Sequence, residues 1–277
     1  TALLAHELGH IKLYSIDNGD YHTTSRIVTA IANDSSSEGV FLETGRYYRL
    51  YTEIFCDRCA LLVTGSETTT QSSLIKIHTG LQQVSAANYL QQAKEILLTG
   101  NTASNGDSHP ENFIRVLAVH LYHTTPDVAD AETATLIEHR FDMNALDIFR
   151  QKELAAHTRY LLAQFTNPQW VQSDTILALC KQYFSDFSTT TGGQSFDWKA
   201  ALFNTNVKEY LAYVLLDLAL ADPALENVPL GRAFEMAESL DLKTEFAGVV
   251  KKEKKLSDKR LRELQAEAVK AAAQVNN

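Results

Sequence analysis

His6, Glu7 and His10 form H-E-x-x-H within the stretch Leu3-Leu4-Ala5-His6-Glu7-Leu8-Gly9-His10. This spacing ties the start of the chain to an α-helix, because residues four apart share a helical face and only there can two imidazoles converge on one metal ion. The flanking Ala and Leu residues are strong helix formers, and no Pro interrupts the run as far as Ile16. With nine His in 277 residues, chance places this pattern in only about a few chains per hundred. The expected ion is zinc, which lowers the pKa of a water in an open fourth position towards about 7. Glu7, between the two ligands, is then placed as the general base.

A zinc site of this kind needs a third protein ligand. The extension H-E-x-x-H-x-x-G-x-x-H is excluded, since Leu13 and Ile16 occupy the Gly and third His positions. The alternative is a Glu on a separate helix with an Asp four residues later. Tyr51-Thr52-Glu53-Ile54-Phe55-Cys56-Asp57-Arg58-Cys59-Ala60 supplies both. Glu53 is the expected ligand, with Glu43 or His22 next in line. Asp57 is expected to accept the second ring N–H of a ligand His. An unpartnered carboxylate among Ile54, Phe55, Ala60 and Leu61 is costly to bury, which favours this pairing over a solvated face. The C-x-x-C of Cys56 and Cys59 lies on the same segment with no second Cys or His pair beside it, and reads as packing.

These two segments together resemble the HtpX-like zinc metallopeptidases, a family that also contains the CAAX prenyl proteases and the Oma and BepA proteins. A third stretch, Ser108-His109-Pro110-Glu111-Asn112-Phe113-Ile114-Arg115, matches the family's His-Pro-x-x-x-x-Arg element. The three elements run in family order over about the first 120 residues. The resemblance implies a mainly α fold with a gluzincin-type helical metallopeptidase core. It also implies that His109 and Arg115 steady charge on the scissile carbonyl. Read without the family, His109-Pro110 is a helix start and Arg115 a solvated residue. In the family, helices and a small sheet precede the H-E-x-x-H helix. A chain with five residues before His6 and no initiator Met therefore reads as a cropped or cleaved piece.

Composition bounds the remaining possibilities. At 277 residues and 45% apolar content the chain can bury two cores. We expect a catalytic domain over 1–126 and an all-helical domain over 127–277. A net charge of −9 argues against nucleic-acid binding. No apolar run approaches the roughly 20 residues of a membrane span. Membrane association is expected only through missing upstream residues or the basic C-terminal helix. Three cysteines without a secreted pattern suit a reducing, cytoplasmic setting.

Helical signals dominate throughout. They cover residues 22–32, 43–63, 84–98 and 110–123 in the first part, with a Gly-, Asn- and Ser-rich stretch at 100–108 expected to be a mobile loop delivering His109. Beyond Pro126, helices are expected over 132–141, 146–165, 171–187, 198–221, 229–240, 243–250 and 257–275, with a linker at 188–195. Leu215 to Asp222 and Ala233 to Leu240 resemble the helical bundle of TerB-like domains, and nothing catalytic rests on that.

The implied activity is hydrolysis of peptide bonds in a protein or peptide substrate, with His6, His10 and Glu53 on zinc. The alternative is a weakly active or inactive zinc-containing interaction or chaperone-like assembly factor. Glu7 weighs against it, because a purely structural site has no use for a base beside the metal.

Overall fold

In the computed structural model the chain is mainly α, about 75% helical, with thirteen α-helices and no strand among the described residues. The structure describes residues 1–99, 103–138, 141–189, 196–198, 200 and 203–275, the side chain of Asp17 apart. Among them, one isolated bridge between Phe141 and Phe203 is the only β pairing. No described helix is long and apolar enough to cross a membrane.

The helices fall into two units, Thr1–His139 with Ala145–Ile148, and Arg140–Asn144 with Phe149–Asn277. The first unit holds α1 (Ala2–Leu13), α2 (Asp20–Ala32), α3 (Gly39–Thr64), α4 (Glu67–Thr79), α5 (Ala86–Leu98), α6 (Asn112–Thr124) and α7 (Ala129–Ile137). Its axis is α3, whose 26 residues extend about 39 Å at the usual helical rise. α1, α2, α4 and α6 all pack on it.

Leu50 and Ile54 of α3 meet Ile114 and Leu117 of α6 and Leu136 and Ile137 of α7 in one core. Leu61, Leu74, Ile75, Val116 and Val119 form a second. Ser66 starts α4 by accepting the Thr69 N–H at 3.2 Å, a cap that binds an otherwise unpaired amide.

The expected boundary at 126 needs correction. Pro126 ends a helix without ending a domain, because α7 turns back and buries Leu136 and Ile137 in the first core. The helix expected over 132–141 is α7, three residues earlier at its start and ending at Ile137.

The second unit contains α8 (Ile148–Phe165, its first residue in unit one), α9 (Asp174–Tyr183), α10 (Thr205–Leu220), α11 (Val228–Ser239), α12 (Lys243–Glu253) and α13 (Asp258–Val275). α10 is its centre. Val207, Leu211, Leu215 and Leu218 are fully buried, and α11 and α12 pack on this helix. The helix expected from 198 begins only at Thr205, where the Asn204 side chain caps it. Residues 190–195 of the expected linker lie outside the described residues.

Candidate metal centre

α1 reaches α3 through its small residues. Ala2, Ala5, His6, Gly9 and Leu13 form its buried stripe. A Cβ on Gly9 would lie 3.1 Å from Cys56 Cα and 3.2 Å from its Sγ, tighter than ordinary van der Waals contact. Glycine between the two histidines therefore lets the helices cross closely enough for His6 and His10 to meet Glu53. The same crossing explains Cys56 and Cys59, which are free thiols, as packing residues.

Glu53 is the point of convergence. Its Oε2 lies 3.4 Å from His6 Nε2, and its Oε1 lies 3.5 Å from His10 Nε2. The two imidazoles meet edge to face with ring centroids 5.1 Å apart. Zinc bonds of about 2.0–2.1 Å in a tetrahedron separate neighbouring ligand atoms by about 3.3–3.4 Å, close to each of these spacings, which run to different oxygens of the one carboxylate. Glu53 Oε2 is buried and makes no hydrogen bond, an orphaned anionic acceptor of the kind a cation satisfies.

Cys56 Sγ also lies with donor atoms of His6 and His10 inside 4.8 Å of one another. The Cys56 thiol fills the helix crossing, against Gly9. Of the other ligands considered from sequence, Glu43 is engaged by Arg46 and His22 packs edge-on against Tyr14.

Asp57 stands behind His6 as expected from sequence. His6 Nδ1 lies 2.9 Å from Asp57 Oδ1, a contact that orients the ring with Nε2 turned towards Glu53. Burial disfavours the charged His6 ring, but the Asp57 and Glu53 carboxylates beside it outweigh that and raise its pKa to about 9. Burial likewise opposes ionised Glu53, yet His6, Arg115 and His109 hold its carboxyl below the usual range. The pocket thus draws positive charge, in keeping with a cation site.

Arg115, which the family resemblance implies near the metal, stands beside Glu53. Its fork is committed to Asp57, with Nε donating to Oδ2 at 2.8 Å and Nη2 to Oδ1 at 2.7 Å. Nη2 also stands 3.4 Å from Glu53 Oε2. Arg115 thus compensates two buried carboxylates while lining the cleft above them.

His109 does face outward. Its side chain is 58% exposed, with Nε2 3.4 Å from Glu53 Oε2 and Nδ1 2.9 Å from Ser108 Oγ. The stretch before it was expected to be mobile. Residues 100–102 lie outside the described residues, but the rest is tied to α3. Arg46 Nη1 donates to the carbonyls of Ser104 and Gly106 at 3.2 and 3.1 Å, and Arg49 Nε to that of Asp107 at 3.0 Å. Gly106 is required here, since a Cβ would fall 2.0 Å from the His109 carbonyl oxygen.

A cleft of about 420 Å³ opens over these residues, lined by His6, Glu7, Glu53, His109 and Arg115 among others. Glu7 is exposed on it. Asn112, Arg46 and Arg49 were missed from sequence. Polar residues in no pattern give no signal until the chain is folded. Compared with family models, curated proteins and solved structures, the chain matches none.

Proposed function

We propose that this chain is a zinc-dependent endopeptidase of the HtpX-like kind, acting on protein or peptide substrates. The observation that carries the reading is the convergence of His6 Nε2, His10 Nε2 and an orphaned, buried Glu53 carboxylate at 3.4–3.5 Å, with Glu7 on the same cleft. His6, His10 and Glu53 would hold the ion. When bound, zinc supplies Lewis acidity to the scissile carbonyl and brings the pKa of a water towards about 7.

The chain's own residues do the rest. Asp57 fixes the His6 tautomer, and Arg115 offsets the buried charge of Asp57 and Glu53. The Glu7 carboxylate takes a proton from the attacking water and passes it to the leaving amine, so one water is added across one C–N bond. His109, through Nε2, donates to the oxygen of the scissile carbonyl as negative charge grows there. The free thiols suit a reducing compartment, and we assign the protein to the cytoplasm. The acidic net charge gives no reason to expect a nucleic-acid partner.

Glu7→Gln tests the reading. It removes the base and leaves all three ligands, so the variant should keep near-stoichiometric zinc by elemental analysis and lose peptide cleavage. Cleavage at the parent rate would refute the assignment of Glu7.

A further inference from the structure

The helix crossing that brings His6 and His10 to Glu53 brings a thiol to the same place. Cys56 follows Glu53 by three residues on α3, so the two side chains share a helical face. It is fully buried and stands against Gly9, the residue between the two histidines, where a Cβ would lie 3.2 Å from Sγ. Packing accounts for the size of this side chain but not for its neighbours. Cys56 Sγ, one donor atom of His6 and one of His10 all lie within 4.8 Å of one another, the one such group of three among the described residues. Glu53 meets the two imidazoles through different oxygens, whereas a single sulfur reaches both.

A second observation points to a cation. Glu53 is only 6% exposed, and its Oε2 has no hydrogen-bond partner. His6, His10, Glu53 and Cys56 together make four ligands, the number that fills a tetrahedral zinc site, whereas three leave one position open. Zinc–nitrogen bonds of about 2.0–2.1 Å and a zinc–sulfur bond of about 2.3 Å place nitrogen and sulfur about 3.6 Å apart. From under 4.8 Å, at most about 1.2 Å remains to close, a shift that rotation of one small side chain about its Cα–Cβ bond covers. Cys56 is absent from the residues that line the cleft, whereas Glu7 and His109 are among them. The sulfur thus approaches the imidazoles from the helix crossing, away from the groups assigned to catalysis.

We infer that Cys56 is a fourth ligand that keeps the site closed at rest. The inference rests on the peptidase reading above and names how that same site is regulated. As the sulfur binds, the thiol loses its proton to solvent and the ion loses a water; as the sulfur leaves, both are taken back. Released, the thiol returns to the space against Gly9, and His6, His10 and Glu53 remain as ligands. A peptide group that takes the fourth position draws the protein into this open form. Cys59 takes no part, since it stands outside the group.

X-ray absorption at the zinc edge of the zinc-loaded full chain reads the ligands directly. The resting parent should show one sulfur neighbour at about 2.3 Å beside nitrogen and oxygen at about 2.0–2.1 Å. Cys56→Ala should lose the sulfur and Cys59→Ala should keep it, both with near-stoichiometric zinc. A dipeptide hydroxamate, which takes zinc positions that face a cleft, should lower the parent's sulfur signal at least about twofold at saturation. This arm needs no substitution. Cys56→Ala should cleave a peptide mixture from a digested proteome at least about tenfold faster than the parent, as expected if no more than about one resting molecule in ten is open.

A parent without a sulfur neighbour overturns the inference, and cleavage by that protein leaves the hydrolase reading standing. Sulfur that stays bound under saturating hydroxamate, or equal cleavage by the parent and a folded Cys56→Ala, overturns the closing role. A sulfur neighbour without cleavage by either protein keeps Cys56 as a ligand and overturns the hydrolase reading. No zinc in the parent overturns both.

Discussion

Replacing Arg115 by Met separates two roles for this guanidinium, compensation of buried charge and direct action on the substrate. Asp57 is 1% exposed and receives three hydrogen bonds, two from Arg115 and one from His6. Methionine keeps much of the apolar volume of the arginine stem but leaves Asp57 with one partner and Glu53 without its nearby guanidinium. Breaking a buried ion pair from one side costs about 3–5 kcal/mol. For a unit of this size 1 kcal/mol shifts the midpoint by roughly 3 °C, so the first unit should melt roughly 10–15 °C lower.

Differential scanning calorimetry of the full chain without metal resolves this, since α10 and its neighbours form a separate core and their transition should stay in place. The Asp57→Asn/Arg115→Met double variant should be less destabilised than the sum of its single variants by roughly 1–3 kcal/mol, because the amide leaves no buried charge behind. A melting temperature within about 2 °C of the parent, together with a loss of kcat, would refute the reasoning and return Arg115 to the substrate.

Glu53→Ala should lower zinc content at limiting free zinc, and Asp57→Asn should weaken zinc affinity or activity roughly 10–100-fold, as for a partner behind the ligands; full occupancy in Glu53→Ala would shift attention to Cys56. His109→Ala should reduce kcat roughly 10²–10³-fold with little change in KM and none in zinc content, and a loss of zinc would instead make His109 a ligand. Arg46→Met should leave zinc content unchanged and lower kcat, while hydrogen exchange speeds up in the 104–109 segment; unchanged exchange would refute the tether.

The side chains that converge at the candidate site were legible because their spacing is local. His6 with His10, and Glu53 with Asp57, each sit one helical turn apart, so helicity alone puts each pair on one face. Fold class was legible for the same reason, through periodic apolar positions and few helix breakers. What the sequence did not disclose depends on contacts between distant segments. The direction of Arg115 is set by Asp57, 58 residues away. The 103–108 stretch has a loop's composition, but its carbonyls are held by arginines 58 to 60 residues earlier. Gly9 looked like an ordinary helix residue until Cys56 proved to lie against it.

Those long-range contacts follow one design around His109. Arg46 and Arg49 reach from α3 to carbonyls at 104–107, just before it, while Arg115 reaches from α6, just after it, back to Asp57 and Glu53. The residue is thus held between guanidinium clamps on both sides, each ending on the helix that carries Glu53. A histidine on a free loop would have to be ordered at every turnover, with a backbone entropy cost of about 1–2 kcal/mol for each residue fixed. Here much of that ordering is already built into the fold. The arrangement also gives the two clamps separable effects. Loosening Arg46 should move His109 and leave the buried charges paired, whereas loosening Arg115 unbalances the Asp57 and Glu53 carboxylates as well. Loss of activity without loss of stability in the first case, and loss of both in the second, is the pattern this geometry requires of a His109 that acts on the substrate.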